Sequence, residues 1–421
     1  MVFRMKSAVN YKDKNMKKIK LLIAIACSAT LTVSTNAAEV IIKDSPKLKE
    51  AKVFQSAAIF RADQGRTGCF DKTGVVNKPS VKWKTDLGGK IISSPVVWDG
   101  TLFIGSPKGL HALNAETGQE KWLFKVKNGV NSSVAVADGL VFFTGMDNNL
   151  YGVTVVDGKK KWTVKGTKPS KEGVKGLSGA PLIVYGMVVS PMGRGTIAVD
   201  YQTGKKIYSI KESPAAYGGL AASKDRLFLR HGYDWNRVYG YEIETGRKVL
   251  EKGSAWIAVN HGVSVRNGKV YAIGTRGVIC HDATNDCAEP KSKDGVEIWK
   301  ASLLQYEIDD NEYIESTGAS LWENLVFWGN DQGWFFALDD KTGNVKWKKE
   351  IGAFMHSTPS IAAKSGIVYF GTFDTNLYAF NAKTGAKKWK FKTGGIVDAS
   401  PWIDDDLLYI SSHDGFVYCL Q

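Results

Sequence analysis

One eleven-residue pattern constrains this chain more than any other feature. Its clearest copy is Ala112-Leu113-Asn114-Ala115-Glu116-Thr117-Gly118-Gln119-Glu120-Lys121-Trp122: a small residue, an amide or carboxylate two positions on, Thr-Gly three further, then Trp. Copies follow at Gly152, Thr154, Asp157-Gly158 and Trp162, at Ala198, Asp200, Thr203-Gly204 and Tyr208, and at Gly240, Glu242, Thr245-Gly246 and Leu250. An interrupted copy starts at Cys280 and Asp282 and reaches Trp299 through an insertion carrying Cys287. Two near-perfect copies complete the series: Ala337, Asp339, Thr342-Gly343, Trp347, and Ala379, Asn381, Thr384-Gly385, Trp389.

Each copy reads as a hairpin. A strand of alternating apolar residues, such as Leu377-Tyr378-Ala379-Phe380, ends at a short polar side chain that can bond turn amides, and Gly then supplies positive φ. The Trp returns on the next strand, where a large ring can lie against a neighbouring sheet and its N–H can find a carbonyl. Residues at the Trp position recur every 39 to 49 residues from Trp83 to Trp389, the length of four short strands with their turns. Such a repeat lets 421 residues share one continuous interior instead of splitting into domains.

The two ends complete one another. Trp83, in Val81-Lys82-Trp83-Lys84, has no turn before it, whereas Gly415-Phe416-Val417-Tyr418-Cys419-Leu420-Gln421 has the strand before the turn and stops. Joining them gives an all-β fold, an eight-bladed β-propeller of four-stranded antiparallel blades, with the ring closed by N- and C-terminal strands. The Trp-position residues are Trp83, Trp122, Trp162, Tyr208, Leu250, Trp299, Trp347 and Trp389.

The repeat Ala-x-Asp-x-x-Thr-Gly-x-x-x-Trp resembles that of the pyrroloquinoline quinone (PQQ) dehydrogenase-like propellers over residues 80–421. The segment Ile59-Phe60-Arg61-Ala62-Asp63-Gln64-Gly65-Arg66-Thr67-Gly68 resembles the lead-in of exported members. The resemblance implies that Trp83, Trp122, Trp162, Trp299, Trp347 and Trp389 dock adjacent blades. It is shared by quinone-dependent dehydrogenases and by the non-enzymatic BamB-like branch, so the fold alone does not choose an activity. A dehydrogenase of this family would bring PQQ, a calcium site and, in the alcohol-oxidising branch, adjacent cysteines. This chain has no Cys-Cys pair and no Thr-Gly-Asn-Pro signature.

From Met16 the chain reads Met-Lys-Lys-Ile-Lys, then an apolar run from Leu21 to Ala26 fading to Thr35-Asn36-Ala37. This is the pattern of a signal peptide over residues 1–37, with 1–15 a candidate misassigned start, followed by a lead-in at 38–79. A lipoprotein signal ending at Cys27 is the alternative, and would tether the protein to a membrane. Residues 1–38 hold seven basic side chains and one acidic, so only +8 of the formal +14 belongs to the rest of the chain. That remainder is spread thinly. Its densest cluster, Lys165, Lys168, Lys171 and Lys175, lacks interleaved aromatics, which argues against nucleic acid.

Four cysteines follow the leader. An oxidising compartment makes two disulfides the default, Cys280 with Cys287 and Cys69 with Cys419, although sequence does not fix connectivity. Metal binding by Cys280, His281 and Cys287 matches no standard spacing. The acidic stretch Glu307-Ile308-Asp309-Asp310-Asn311-Glu312 reads as a solvated loop or a cation site.

Aligning the residue three before Pro95, Pro181, Pro359 and Pro401 with its equivalents gives a column at the entrances of the innermost strands. It reads Ile92, Asn131, Ser178, Tyr217, Asn260, Ser316, His356, Asp398. Seven of these eight can hydrogen-bond, and His356 with Asp398 could pair as a base and its orienting carboxylate. Glu315 and His261 fall nearby. The column is the candidate ligand site; the alternative is a channel mouth that is merely wet. No catalytic residue, metal or cofactor is assigned. The sequence-level reading is an exported, non-catalytic propeller binding an envelope protein, peptide or glycan. The alternative is a dehydrogenase using PQQ and calcium in the axial channel.

Overall fold

A computed structural model describes residues 57–166, 179–192, 195–211, 219–230, 237–253, 262–274, 276–284, 297–303 and 315–421. All of them belong to the unit Lys52–Gln421, and the unit Met1–Ala51, which holds the expected leader and Cys27, lies outside the described residues. The described strands form eight sheets, each with four strands contributed by its own blade. In blade 1 these are Val96–Trp98, Thr101–Ser106, Gly109–Asn114 and Glu120–Lys125, joined antiparallel in that order from hub to rim. Blades 2 to 7 repeat this plan over 135–165, 182–211, 221–253, 264–302, 320–350 and 360–392. Blade 8 takes Trp402–Asp404, Leu407–Ser411 and Phe416–Leu420 from the chain's end and its rim strand, Val81–Asp86, from before blade 1. The eight-bladed ring and its two-ended closure are therefore as the sequence predicts.

Where a rim strand carries a Trp, that Trp docks the following blade. The indole N–H of Trp83 donates to Ala115 O at 2.9 Å, that of Trp122 to Val155 O at 2.9 Å and that of Trp162 to Tyr201 O at 2.9 Å. Trp299 reaches Asp340 O at 2.8 Å and Trp347 reaches Ala382 O at 3.0 Å. In every case the acceptor is the residue just after the polar position of the next copy. The ring also lies on that copy's glycine: a Cβ at Gly158 would sit 2.8 Å from the Trp122 ring, and one at Gly385 would sit 2.7 Å from Trp347. Both glycines also have positive φ, so Thr-Gly is required twice, once by its own turn and once by the neighbouring Trp.

The sixth docking, that of Trp389, exposes the seam. In blade 8 the strand Phe416–Leu420 pairs with Val81–Asp86 rather than with a strand that follows it, and Trp389 donates to Val75 O at 3.1 Å, an acceptor it shares with the Tyr369 hydroxyl at 3.1 Å. Val75 belongs to the lead-in, which supplies the missing turn.

The rest of the lead-in crosses the hub. Ala57–Ile59 pairs antiparallel with the innermost strand of blade 2. The Gln64 amide donates to Ile183 O of blade 3 at 3.0 Å. Main-chain bonds then run from Ala222 N of blade 4 to Gln64 O (2.7 Å), from Val265 N of blade 5 to Gly65 O (2.8 Å) and from Leu321 N of blade 6 to Thr67 O (2.8 Å). Cys69–Phe70 pairs parallel with Ile361 and Ala362 of blade 7, and Gly74 N donates to Asp405 O of blade 8 at 2.6 Å.

Two arginines are sealed inside this crossing. The Arg66 guanidinium donates to Leu220 O (2.9 Å), Ala180 O (3.2 Å), Pro181 O (2.8 Å) and Phe60 O, and Arg61 donates to Ser264 Oγ (3.0 Å) and Ala319 O. Burial holds both guanidinium groups down to about 9, with Asp63 opposing the shift. Their charge is compensated mostly by main-chain carbonyls, which otherwise would be left unsatisfied at the hub.

The expected Cys69–Cys419 disulfide is not present, and both residues are free thiols. Cys69 is carried by the lead-in to blade 7, beside Ile361, whereas Cys419 lies on blade 8 opposite Trp83 and Tyr409. Cys280 is also a free thiol, fully buried opposite Trp299 and Tyr271. Its expected partner, Cys287, lies outside the described residues.

Candidate functional site

The innermost strands enter the hub at one end and meet the lead-in near the other. In blade 7, His356 precedes the strand Ser360–Ala362, and the lead-in bonds Ile361 and Ala363 at that strand's far end. The column residues thus stand at the end of the hub away from the lead-in. Asn131 is half-buried at the approach to blade 2, and Ser316 is buried in an isolated bridge opposite Asn330. Ser178, Tyr217, Asn260 and His261 lie outside the described residues, as do 307–312.

Three adjacent blades converge at this end. The His356 Nε2 lies 3.1 Å from Glu315 Oε2 of blade 6, and its Nδ1 lies 3.7 Å from Asp398 Oδ1 of blade 8. The other Asp398 oxygen faces His413 Nε2 at 3.4 Å. Asp331 stands behind Glu315, accepting its N–H at 3.0 Å, and burial next to that carboxylate raises the Asp331 carboxyl above its ordinary value. The His356 ring meets Phe373 edge-on with centroids 4.6 Å apart, and Phe373 in turn lies against Phe354, which is 56% exposed. The structure therefore brings together His356 and Asp398, as the column suggests, and adds Glu315 to them.

His413, Asp331 and Phe373 were not singled out by the sequence, yet a second column would have found them. Each follows the second strand of its blade by two residues and donates its N–H to the approach of the innermost strand, at Ile396, Glu315 and Phe354 respectively. The column search stopped at one register.

A second histidine cluster has the outline of a catalytic triad. The His111 Nε2 lies 2.7 Å from Ser106 Oγ and its Nδ1 lies 2.6 Å from Glu120 Oε2. Ser106 is 1% exposed and His111 2%, so no substrate reaches the hydroxyl. At the position of His111 other blades carry Tyr151, Tyr378 and Tyr418, bonded to Asp147 (2.5 Å), Asp374 (2.7 Å) and Asp414 (2.5 Å). The Ser-His-Glu set is a local variant of a pair that stiffens blades.

The family model described as outer membrane protein assembly factor BamB matches residues 63–287 and, in an overlapping second placement, 193–421. The chain belongs to the BamB family. A BamB of Yersinia pestis is 28% identical over 338 residues, covering 75% of this chain and 82% of its own length. A BamB of Burkholderia pseudomallei is 24% identical over 48% of this chain, a match that spans 55% of that relative. A 1-butanol dehydrogenase (cytochrome c) of Thauera butanivorans is 30% identical over 25% of this chain, and only 17% of that enzyme is spanned. Among solved structures, BamB from Moraxella catarrhalis superposes with a TM-score of 0.61 at 14% identity, covering 82% of this chain and 97% of its own. A europium-containing methanol dehydrogenase gives 0.64 at 14% identity, with 90% and 91% covered. At such identities the structural likeness speaks for the fold alone.

Proposed function

We propose that this chain is an exported, non-catalytic binding and scaffold propeller of the cell envelope, presenting its channel mouth and loops to a partner in outer-membrane assembly. The observation that carries the reading is the BamB family match, whose two placements span residues 63–421, supported by the leader pattern at Met16–Ala37. The lead-in adds mechanical sense. By bonding seven successive blades it makes the ring a stiff body on which mouth residues from separate blades keep fixed positions.

The quinone reading is less well supported by the charge of the described mouth. PQQ is a tricarboxylate and asks for cations, whereas the described part of the mouth gathers the carboxylates Glu315, Asp331 and Asp398.

The test is affinity capture with the full chain from an outer-membrane extract, run beside a thermal titration with PQQ and calcium. Specific retention of an outer-membrane assembly component, with no thermal shift, is the expected result. A saturable rise in melting temperature that is lost in Asp398→Asn would replace the scaffold by an enzyme.

A further inference from the structure

We propose that the rim of the propeller, centred on blade 7, is a basic docking surface for the headgroups of an anionic phospholipid membrane. Along the sequence the lysines are thinly spread, but folding gathers them. The eight rim strands carry nineteen lysines against five carboxylates, and no arginine. Everything after residue 38 has a net charge of only +8, so the rest of that stretch is acidic on balance and the positive charge is segregated to the rim. Within the rim the distribution is uneven. Three neighbouring blades, 6, 7 and 8, contribute Val345–Glu350, Lys387–Lys392 and Val81–Asp86, with nine lysines and two carboxylates among them. In Lys387–Lys392 every residue but Trp389 and Phe391 is a lysine.

The pleat explains why these lysines face water. Trp389 turns inward to its acceptor on Val75, and Phe391 packs edge-on against Tyr418 of blade 8, so Lys388, Lys390 and Lys392 alternate to the other face. These three, with Lys387 and with Lys349 of blade 6, are exposed, and none has a carboxylate partner among the described residues. By contrast Lys346 is paired with Asp339 and Lys82 with Glu116. Lysine on an edge strand also keeps sheets from pairing edge to edge. That need is the same for all eight blades, yet the rim strand of blade 5, Glu297–Ser302, carries one lysine and that of blade 7 carries four. The composition of the surplus selects its ligand. Protein interfaces favour arginine and aromatic groups and are depleted in lysine, because a fixed partner rewards the guanidinium fork. A lysine ammonium is a point charge on a long flexible stem, which suits a surface of lipid phosphates with no fixed arrangement.

The experiment is co-sedimentation of the full chain, at physiological ionic strength, with vesicles of phosphatidylcholine and with vesicles of equal parts phosphatidylcholine and phosphatidylglycerol. Tighter binding to the mixed vesicles is expected, weakening as salt is raised. The quadruple variant Lys387→Gln, Lys388→Gln, Lys390→Gln, Lys392→Gln is expected to weaken binding to the mixed vesicles at least about tenfold. The control removes four charges from exposed lysines outside the rim strands, Lys90, Lys108, Lys127 and Lys224, each changed to Gln, and is expected to alter binding less than about twofold. The residues before the blades are common to all three proteins, so the comparison reports the rim. Thermal melts show whether each variant is folded; if the quadruple variant melts early, Lys390→Gln with Lys392→Gln takes its place, with a loss of about threefold expected. Equal binding to neutral and mixed vesicles, a rim variant that binds like the unaltered chain, or a control that loses as much would overturn the surface. The rim variant also goes through the envelope capture, where it is expected to retain the partner. Loss of that partner would hand the rim to a protein and overturn the lipid assignment, whereas failure of the unaltered chain to capture any partner removes the scaffold reading and leaves this one standing.

Discussion

Two histidines of this propeller each touch a carboxylate, and they could hardly be used more differently. His111 sits within one blade, 2% exposed, with both ring nitrogens taken by Ser106 and Glu120. His356 stands where three blades meet, 24% exposed in its side chain, with Glu315 and Asp398 on either side and an aromatic edge beside it. The first has the geometry of a triad and no access. The second has looser geometry and faces the mouth. Hydrogen-bond distances alone would choose the wrong one, because good geometry in a packed blade is what stability requires, while a site keeps some polar capacity in reserve.

The largest way to break this comparison is His111→Ala. It leaves a cavity and strips a buried hydroxyl of its partner, so unfolding in urea is expected to show a loss of about 3 kcal/mol with capture of the envelope partner unaffected. His356→Ala is expected to cost less than about 1 kcal/mol in the same measurement. If the two losses come out equal, the division into a structural and a functional histidine is wrong.

Acid sharpens the same contrast. Burial pushes the His111 imidazole below its ordinary value, with Glu120 opposing. As pH falls, the unfolded chain takes up this proton first. Stability present above about pH 6.5 is therefore lost as pH drops from there toward the lower folded value, at up to about 1.4 kcal/mol per pH unit. A melting series from pH 7.5 to 5 should flatten in His111→Gln.

Asp331 should behave in the opposite sense. Its folded value is raised, so the folded state holds the proton more tightly and ionisation near neutrality costs stability. Asp331→Asn is expected to gain on the order of 0.5–1 kcal/mol at pH 7, a gain that vanishes below the ordinary carboxylate range. A loss at pH 7 would mean that Asp331 is a structural group. The smallest effect is reserved for Phe354→Ala, which should leave stability within about 0.5 kcal/mol.

The fold was legible because the repeat states its own physics: strand, polar stop, Gly, Trp. What no single copy displays is contact between copies. That Gly158 must be Gly for the sake of Trp122, and Gly385 for Trp347, is visible only once the blades are side by side. The cysteines failed for a related reason. Cys69 and Cys419 lie near the two ends that meet, but the lead-in runs on across the hub and delivers Cys69 to blade 7 before the chain turns back to close blade 8. Arg61 and Arg66 gave a quieter signal, two cations in a segment otherwise fit for burial, and nothing nearby in sequence reveals that most of their partners are carbonyls more than 100 residues away. At the mouth, His356 and Asp398 were readable from one register of the repeat, and their companions waited in the next.

The hub crossing also joins parts of the chain that lie far apart in sequence. Residues 57–75 leave the ribosome before any blade, yet their bonding partners are spread from blade 2 to blade 8, and the rim strand Val81–Asp86 waits for Phe416–Leu420. Residues 57–75 thus precede in the chain every blade that they tie together. The seam is closed by a single strand pair, and without the pairing of Val81–Asp86 with Phe416–Leu420 the arc of blades would present a bare strand edge at that seam.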